Sequence, residues 1–177
     1  MALIKSVKGI NPVFGENFYA AENATIVGNV VMGNDCTVWF NAVVRGDVNS
    51  IVIGNKVNIQ DNAVIHCTFQ NLEAGQQGAK TIIGDNVSIG HSAIVHGCTL
   101  EDNVLIGMGA IVMDNAIIKK NSIVAAGAVV LENTIVESGC IYAGVPAKKV
   151  KEVSPEHFRG LNERIANNYV MYASWFK

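Results

Sequence analysis

The sequence predicts an all-β solenoid in which short strands coil into a parallel β-helix. A six-residue pattern recurs along most of the 177 residues, and hexapeptide repeats are a signature of this architecture. Ile and Val together number 43, whereas Leu numbers six, and β-branched side chains favour strands. Seventeen glycines and many Asn residues supply the tight turns that short strands require.

Length, composition and charge exclude several classes of protein. A chain of 177 residues fits one domain, and a hydrophobic content of 50% argues against disorder. The net charge of −2 gives no support for a nucleic-acid partner. No apolar run approaches the ~18 residues of a membrane span, and the N-terminus lacks the features of a signal peptide. We therefore expect a cytoplasmic protein with no membrane partner.

The repeat contains nineteen units, of which seventeen begin with Ile, Val, Leu or Met. We expect each first residue to point into the coil and the fifth, usually small or β-branched, to occupy a crowded corner. The pattern resembles that of left-handed β-helix proteins, which have three flat faces. This resemblance implies three units per turn, and therefore a left-handed parallel β-helix of about six turns. The units begin at Ala20, Ile26, Met32, Val38, Val44, Ile53, Ile59, Ile65, Ile83, Ile89, Val95, Leu100, Ile106, Val112, Ile118, Val124, Val130, Val136 and Tyr142.

Two insertions interrupt the repeat, near residues 46–50 and 70–81. Insertions in solenoids usually form surface loops, often on the binding face. The pattern then changes at Ser154-Pro155, a typical helix start. We therefore expect a β-helix over residues 1–153 and a C-terminal α-helix over residues 154–177 that packs along the coil. Its apolar residues at helical spacing are Phe158, Leu161, Ile165, Tyr169, Tyr172 and Phe176.

Three of the four histidines have related positions in the repeat. His66 and His96 are each the second residue of a unit, and their units lie three apart. With three units per turn they stack on adjacent turns, roughly 5 Å apart. Arg45 occupies the same column one turn earlier. His91 is the third residue of a unit on the preceding face, and Asp61 lies directly beneath it.

The stacked imidazoles of His66 and His96 could share a metal ion. His91, around a corner of the coil, is not expected to reach that ion within one chain, but it could reach an ion held by a neighbouring chain. Three copies about a threefold axis make such contacts closed and equivalent. Three neutral imidazoles leave a fourth coordination position open, as in catalytic zinc sites. The alternative is that these are ordinary surface histidines.

Three segments resemble the γ-class carbonic anhydrase family. They read VVRGDV (residues 43–48), NIQDNAVIH (58–66) and IGHSAIVHG (89–97), and the similarity extends over essentially the whole chain. The resemblance implies a homotrimer with metal ions between subunits. The ion would be Zn²⁺, with Fe²⁺ or Co²⁺ as alternatives, and its ligands would be the stacked histidine pair of one subunit and the third histidine of the next.

The resemblance also assigns roles to four polar residues. Arg45 and Asp47 match an interfacial ion pair near the site, Gln60 matches a polar residue near the bound water, and Asp61 matches an acid behind a metal ligand. An acid beside His91 fits the need of a metal-bound imidazole for a partner on its second nitrogen. Without the resemblance, Arg45 and Asp47 would be a solvated turn pair and Gln60 a solvent-facing side chain.

The implied activity is reversible hydration of CO2 by a metal-activated hydroxide, but the sequence departs from the family's active pattern where a proton must leave. Active members carry a glutamate directly after the residue that matches Asp47, where this chain has Val48. They carry another in the loop after the first histidine, where this chain has Cys67-Thr68-Phe69. Relatives with the same departure are often weak anhydrases. We therefore expect a metal site at which CO2 hydration is weak or absent.

Other functions remain open at this stage. A metal-dependent thioesterase-like hydrolase would use the same site on a thioester substrate. A CoA-dependent hexapeptide acyltransferase is suggested by Gly144-Val145-Pro146-Ala147, which resembles a stretch common in those enzymes. Such enzymes usually depend on one catalytic histidine, however, and have no three-histidine metal set. The last alternative is a structural trimer that the metal only holds together.

The four cysteines do not have the spacing of a metal site. Cys36 and Cys140 occupy inward fifth positions, where they serve as small apolar residues. Cys67 and Cys98 lie near the histidines, so a thiolate beside the metal is a further alternative. Reduced thiols are the default expectation for a cytosolic protein.

Overall fold

The computed structural model describes residues 1–176, apart from the side chains of His157 and Arg159. The last residue of the predicted helix, Lys177, lies outside the described residues. The strands, in chain order, are β1 (Leu3–Lys5), β2 (Val13–Phe14), β3 (Tyr19–Ala20), β4 (Thr25–Met32), β5 (Thr37–Val38), β6 (Val43–Ile53), β7 (Asn58–Ile59), β8 (Val64–His66), β9 (Thr81–Ile83), β10 (Ser88–Ile89), β11 (Ile94–His96), β12 (Thr99–Leu100), β13 (Leu105–Ile106), β14 (Ile111–Val112), β15 (Ile117–Ile118), β16 (Ile123–Val124), β17 (Val129–Val130), β18 (Ile135–Val136), β19 (Cys140–Ala143) and β20 (Lys148–Glu152).

These strands form a three-faced parallel β-solenoid with the arrangement of a left-handed β-helix, which confirms the predicted fold class. One face, the helix face, stacks β3, β5, β7, β10, β13, β16 and β19 in parallel, with β20 added antiparallel at its end. The histidine face stacks β1, the first half of β4, the first half of β6, β8, β11, β14 and β17. The third face stacks β2, the second halves of β4 and β6, β9, β12, β15 and β18.

Each face contains seven parallel strands, so the coil has 21 strand positions, two more than the nineteen repeat units predict. The two additional strands are β1 on the histidine face and β2 on the third face, which precede the first unit. They close the end of the coil and are largely exposed. Their inward positions are Ile4, which pairs with Ile26, and Phe14, which pairs with Met32. Ten residues rather than six separate these two positions, so the repeat does not reveal them. The rings of Phe14 and Phe18 stack at 4.0 Å and pack against the end of the core.

The first insertion does not form a separate loop. Residues 46–50 lie within β6, an 11-residue strand that turns a corner of the coil together with β4. At this corner Gly28 adopts φ +79°, and a side chain there would collide with the carbonyl of Gly46. Because β4 and β6 approach each other closely at this corner, the extra residues lengthen β6 instead of forming a loop. The second insertion leaves the coil after β8 and returns at β9 as the loop that the sequence predicts.

The core follows the repeat register. The unit-initial residues Ile65, Val95 and Val112 lie in one column and are completely buried. At the corners Asn residues adopt positive φ, which Asn tolerates better than most residues, and they form ladders such as Asn23 Nδ2 donating to Asn41 Oδ1 at 2.8 Å. The aliphatic columns and corner ladders together set the spacing of the outward side chains.

All four cysteines are free and buried, which agrees with the inward positions predicted for Cys36 and Cys140. Burial raises the pKa of the Cys36 thiol from 9.0 to about 11. At pH 8 its thiolate fraction is then about a hundredfold below that of an ordinary thiol, and thiolate is the reactive form. We therefore expect almost no rapid reaction of Ellman's reagent with the native protein, and reaction of four thiols per chain after denaturation. A thiol that reacts rapidly in the native protein would contradict the buried placement.

The C-terminal segment is one helix with a π-helical turn. It comprises α1 (Pro155–Phe158), the π-turn Arg159–Glu163 and α2 (Arg164–Ser174). The helix packs on the helix face, where Trp39 contacts the rings of Tyr169 at 5.3 Å and Phe176 at 5.6 Å. No helix within residues 1–176 is long and apolar enough to cross a membrane.

Candidate metal centre

The strands β8 and β11 place His66 and His96 directly beside each other on adjacent turns. Their neighbours Ile65 and Val95 point into the core, so both imidazoles point out of the same face. Nδ1 of His66 lies 3.0 Å from Nε2 of His96. The stacked pair that the repeat register predicts is therefore present, with one ring nitrogen of each histidine facing the other.

Arg45 and Asp47 lie one turn below the stacked pair. The register of β6 against β8 continues the column, so Arg45 is next to His66. Arg45 Nη1 contacts Asp47 Oδ2 at 2.7 Å, and Asp47 Oδ1 contacts Nε2 of His66 at 3.1 Å. Burial raises the pKa of the Asp47 carboxyl, but hydrogen bonds from Arg45 and His66 outweigh that effect and leave the pKa below its ordinary value. The ion pair between Arg45 and Asp47 forms within one chain. Its Asp47 contacts Nε2 of His66, the outer ring nitrogen, which is the one that does not face His96.

His91 lies at the corner between the helix face and the histidine face. Its Nδ1 is 2.8 Å from Oδ2 of Asp61, because the register of β7 and β10 places Asp61 directly beneath it. The sequence predicts this pairing. Within one chain, the described side chains of residues 1–176 include no group of three or more His, Cys, Asp or Glu arranged to hold a metal.

Gln60 is buried, with 6% of its surface exposed, so the interpretation of a solvent-facing Gln60 is wrong. Its Nε2 donates to Asn58 Oδ1 at 3.0 Å. Gln60 and His91 line a cavity of about 290 Å³ that the C-terminal helix covers with Ile165 and Tyr169. The periodicity of the helix indicates its apolar side but not the face on which it packs, so the sequence could not reveal this cavity.

Asp114 is a site residue that the sequence analysis missed. Its Oδ1 lies 2.6 Å from Nδ1 of His96, and the hydroxyl of Thr68 donates to its Oδ2. The column of His96 continues one turn further at Met113, since Val95 pairs with Val112. Asp114 is one residue beyond that column, and only its diagonal reach brings it to the histidine. A search for acids one position off each histidine column would have found it.

The residues of the stacked pair fit a divalent metal ion. The outer nitrogens, Nε2 of His66 and Nδ1 of His96, both contact carboxylates, which only accept hydrogen bonds when ionised. If the facing nitrogens also shared a proton, the pair would carry three protons and a positive charge. Burial lowers the pKa of His66 and disfavours that state. Two nitrogens on one tetrahedral zinc lie about 3.3 Å apart, close to the 3.0 Å observed.

The cysteines near the histidines do not contribute to this site. Cys67 and Cys98 belong to the buried core. Burial raises the pKa of the Cys98 thiol to about 12 and also raises the pKa of Cys67. Both side chains lie inside the coil, whereas the imidazoles of His66 and His96 point outward, so the alternative of a thiolate beside the metal loses its support.

Comparison with known proteins places the chain in a family. Residues 97–132 match the bacterial transferase hexapeptide (six repeats) family. The chain is 50% identical to a probable carbonic anhydrase of Methanocaldococcus jannaschii over 85% of this chain and 90% of that protein. It is 38% identical to the mitochondrial gamma carbonic anhydrase 2 of Arabidopsis thaliana over 92% of this chain, and it spans 58% of that relative.

A solved structure agrees over nearly the whole length. The crystal structure of a hexapeptide transferase family protein from Anaplasma phagocytophilum matches with a TM-score of 0.89 and 36% identity, covering 99% of this chain and 98% of that one. The repeat, the three-faced coil and the histidine pair with its carboxylates define a hexapeptide-repeat β-helix protein with a candidate metal centre. Within that class, the chain belongs to the γ-class carbonic anhydrase family.

Proposed function

We propose that this protein is a metal-dependent, γ-carbonic-anhydrase-like enzyme that hydrates CO2 reversibly at an ion shared between neighbouring subunits. One observation carries the proposal. His66, His91 and His96 each have one ring nitrogen on a carboxylate, which leaves the other nitrogen of each ring for a metal. Carboxylate partners of this kind orient histidine ligands in zinc enzymes. The ligands would be His66 and His96 of one subunit and the partner subunit's His91.

The histidine face supports a homotrimer with this face turned towards the threefold axis. The stacked pair lies near one edge of the face and His91 at the opposite corner, so adjacent edges of neighbouring faces would meet at each site. Between the edges runs an outward aliphatic column whose members pair in register. Its members, all half-buried in the single chain, are Val43, Val64, Ile94, Ile111 and Val129. Packing three such columns around the axis buries them and closes the ring.

When bound, the metal supplies a nucleophilic water at neutral pH. The amide of Gln60 uses Nε2 on Asn58, which leaves its Oε1 to accept a hydrogen bond from a water at the cavity beside His91. Leu105, Ile106 and Met108 also line that cavity, and such apolar walls suit uncharged CO2. Asp47 holds Arg45 at 2.7 Å, so that the guanidinium lies beside the site where an anionic product would leave.

Proton export is the slow step of the proposed reaction. Val48, at the position where active members have a glutamate, packs against the core, and the stretch after His66 offers Cys67, Thr68 and Phe69. Transfer to solvent therefore depends on water or buffer, and we propose slow turnover. The same site would also serve a thioester hydrolase, because both reactions need a nucleophilic water next to a carbonyl carbon.

One preparation tests the function. We expect the purified protein to contain up to one divalent ion per chain, and CO2 hydration to disappear on chelation and return when Zn²⁺ is added back. Thioester hydrolysis and acyl transfer from CoA are assayed in parallel. A metal-free preparation with full acyltransferase activity would overturn the proposal. Metal without turnover of CO2 or a thioester would point instead to a structural role for the ion.

A further inference from the structure

Asp114 is held more firmly than a surface carboxylate. Its Oδ1 contacts Nδ1 of His96 at 2.6 Å, and its Oδ2 accepts the hydroxyl proton of Thr68. Hydrogen bonds on both oxygens fix the plane of the carboxylate. Because Nδ1 of His96 contacts this carboxylate, the direction of Nε2, the other ring nitrogen, is fixed as well.

Thr68 is itself anchored at the base of the long loop. Its N–H donates to the carbonyl of Ala79 at 2.8 Å, and the N–H of Ala79 donates back at 3.3 Å. Asn49 Nδ2 donates to the carbonyl of Thr68 at 3.1 Å. The backbone of Thr68, whose hydroxyl holds Asp114, is therefore fixed by three hydrogen bonds.

The chain leaves no room for a side chain next to this carboxylate. Gly97, which follows His96, adopts φ +54°, and a Cβ built there would run into Asp114 and Ala79. A larger residue would push Asp114 away from His96 as well as strain the backbone. The packing around the carboxylate is thus consistent with one fixed position.

We propose that Asp114 is a positioning residue of the metal centre and that Thr68 holds it in place. A carboxylate only accepts hydrogen bonds, so His96 must carry its proton on Nδ1, and the lone pair of Nε2 then faces His66. This sets both the tautomer and the direction of the ligand nitrogen. The role at a metal rests on the proposed function, whereas the tautomer of His96 is a property of the metal-free protein.

The test compares Asp114→Ala with Glu132→Ala. Glu132 is a matched control because it is an exposed acid that borders the same surface depression as His96 and Asp114. We expect Zn²⁺ affinity, measured by chelator competition, to fall about 10–100-fold in Asp114→Ala and to stay unchanged in Glu132→Ala. Thr68→Val should weaken binding by a smaller factor, and Thr68→Ser, which keeps the hydroxyl, should restore it.

The second readout is the nitrogen spectrum of ¹⁵N-labelled histidine in the metal-free protein. His96 should be protonated on Nδ1 in the wild type and in Glu132→Ala, and should lose that preference in Asp114→Ala. If Asp114→Ala keeps both the tautomer and the affinity, the positioning role is wrong. If the wild type binds no Zn²⁺ yet the tautomer changes as expected, the proposed function fails while the Asp114–His96 pairing stands. Thr68→Val provides the same comparison should Asp114→Ala not fold.

Discussion

Co-assembled subunits carrying His66→Ala and His91→Ala should recover about a quarter of the wild-type metal content, although neither variant binds metal alone. In the proposed trimer each site takes His66 and His96 from one subunit and His91 from the next. Every mixed trimer then contains one intact site out of three. Random 1:1 assembly makes about three quarters of the trimers mixed, which gives about one quarter of the sites.

The measurement is metal content by elemental analysis after the two chains have been expressed together or refolded together. The matched control is a mixture of His66→Ala with His96→Ala, which removes two ligands contributed by the same subunit. No arrangement of those two chains restores a site, so the content should remain near zero. Recovery in the control, or full metal retention in His91→Ala alone, would show that the three histidines do not combine across subunits.

Ile111→Glu should dissociate the trimer, whereas Ile117→Glu should leave it assembled. Both are half-buried outward isoleucines on the same turn, but Ile111 lies in the column of the histidine face and Ile117 on the third face. Three carboxylates brought together at the axis are costly, because burying an unpaired charge costs several kcal/mol. We expect the trimer to be weakened by on the order of a hundredfold or more.

Light scattering with size-exclusion chromatography measures the outcome. The wild type and Ile117→Glu should elute at about 57 kDa, three times the 18.9 kDa of the chain, and Ile111→Glu near the mass of one chain. Ile111→Glu should also lose metal, since its sites are incomplete without a neighbour. Assembly that is disrupted only by Ile117→Glu would place the third face, not the histidine face, at the interface.

The sequence alone predicted the fold class and the relative positions of the main site residues. One inward aliphatic residue per six identifies the coil, and the same register predicts that His96 lies beside His66 and that Asp61 lies beneath His91. These predictions succeed because both strand direction and side-chain alternation are imposed by the buried columns. In such a coil, position along the chain translates almost directly into position in space.

Other features depend on contacts that the repeat does not encode. Asp114 reaches His96 diagonally, so a search by column passes over it. The burial of Gln60 depends on the face chosen by the C-terminal helix. The strands β1 and β2 fall outside the repeat because ten residues, not six, separate Ile4 and Phe14 at their inward positions. Residues 46–50 remain in a strand because Gly28 and Gly46 allow β4 and β6 to turn together.

In this coil the distance between the two stacked histidines does not depend on the length of the loop that lies between them in the sequence. Ile111 and Val129, one turn apart, are 18 residues apart in sequence, whereas His66 and His96, also one turn apart, are separated by 30. The twelve surplus residues leave the coil and return across the Thr68–Ala79 bridge, so their length and chemistry do not affect the distance between the two histidines. The coil thus fixes the spacing of the two histidines, and the loop can change in length without altering that spacing.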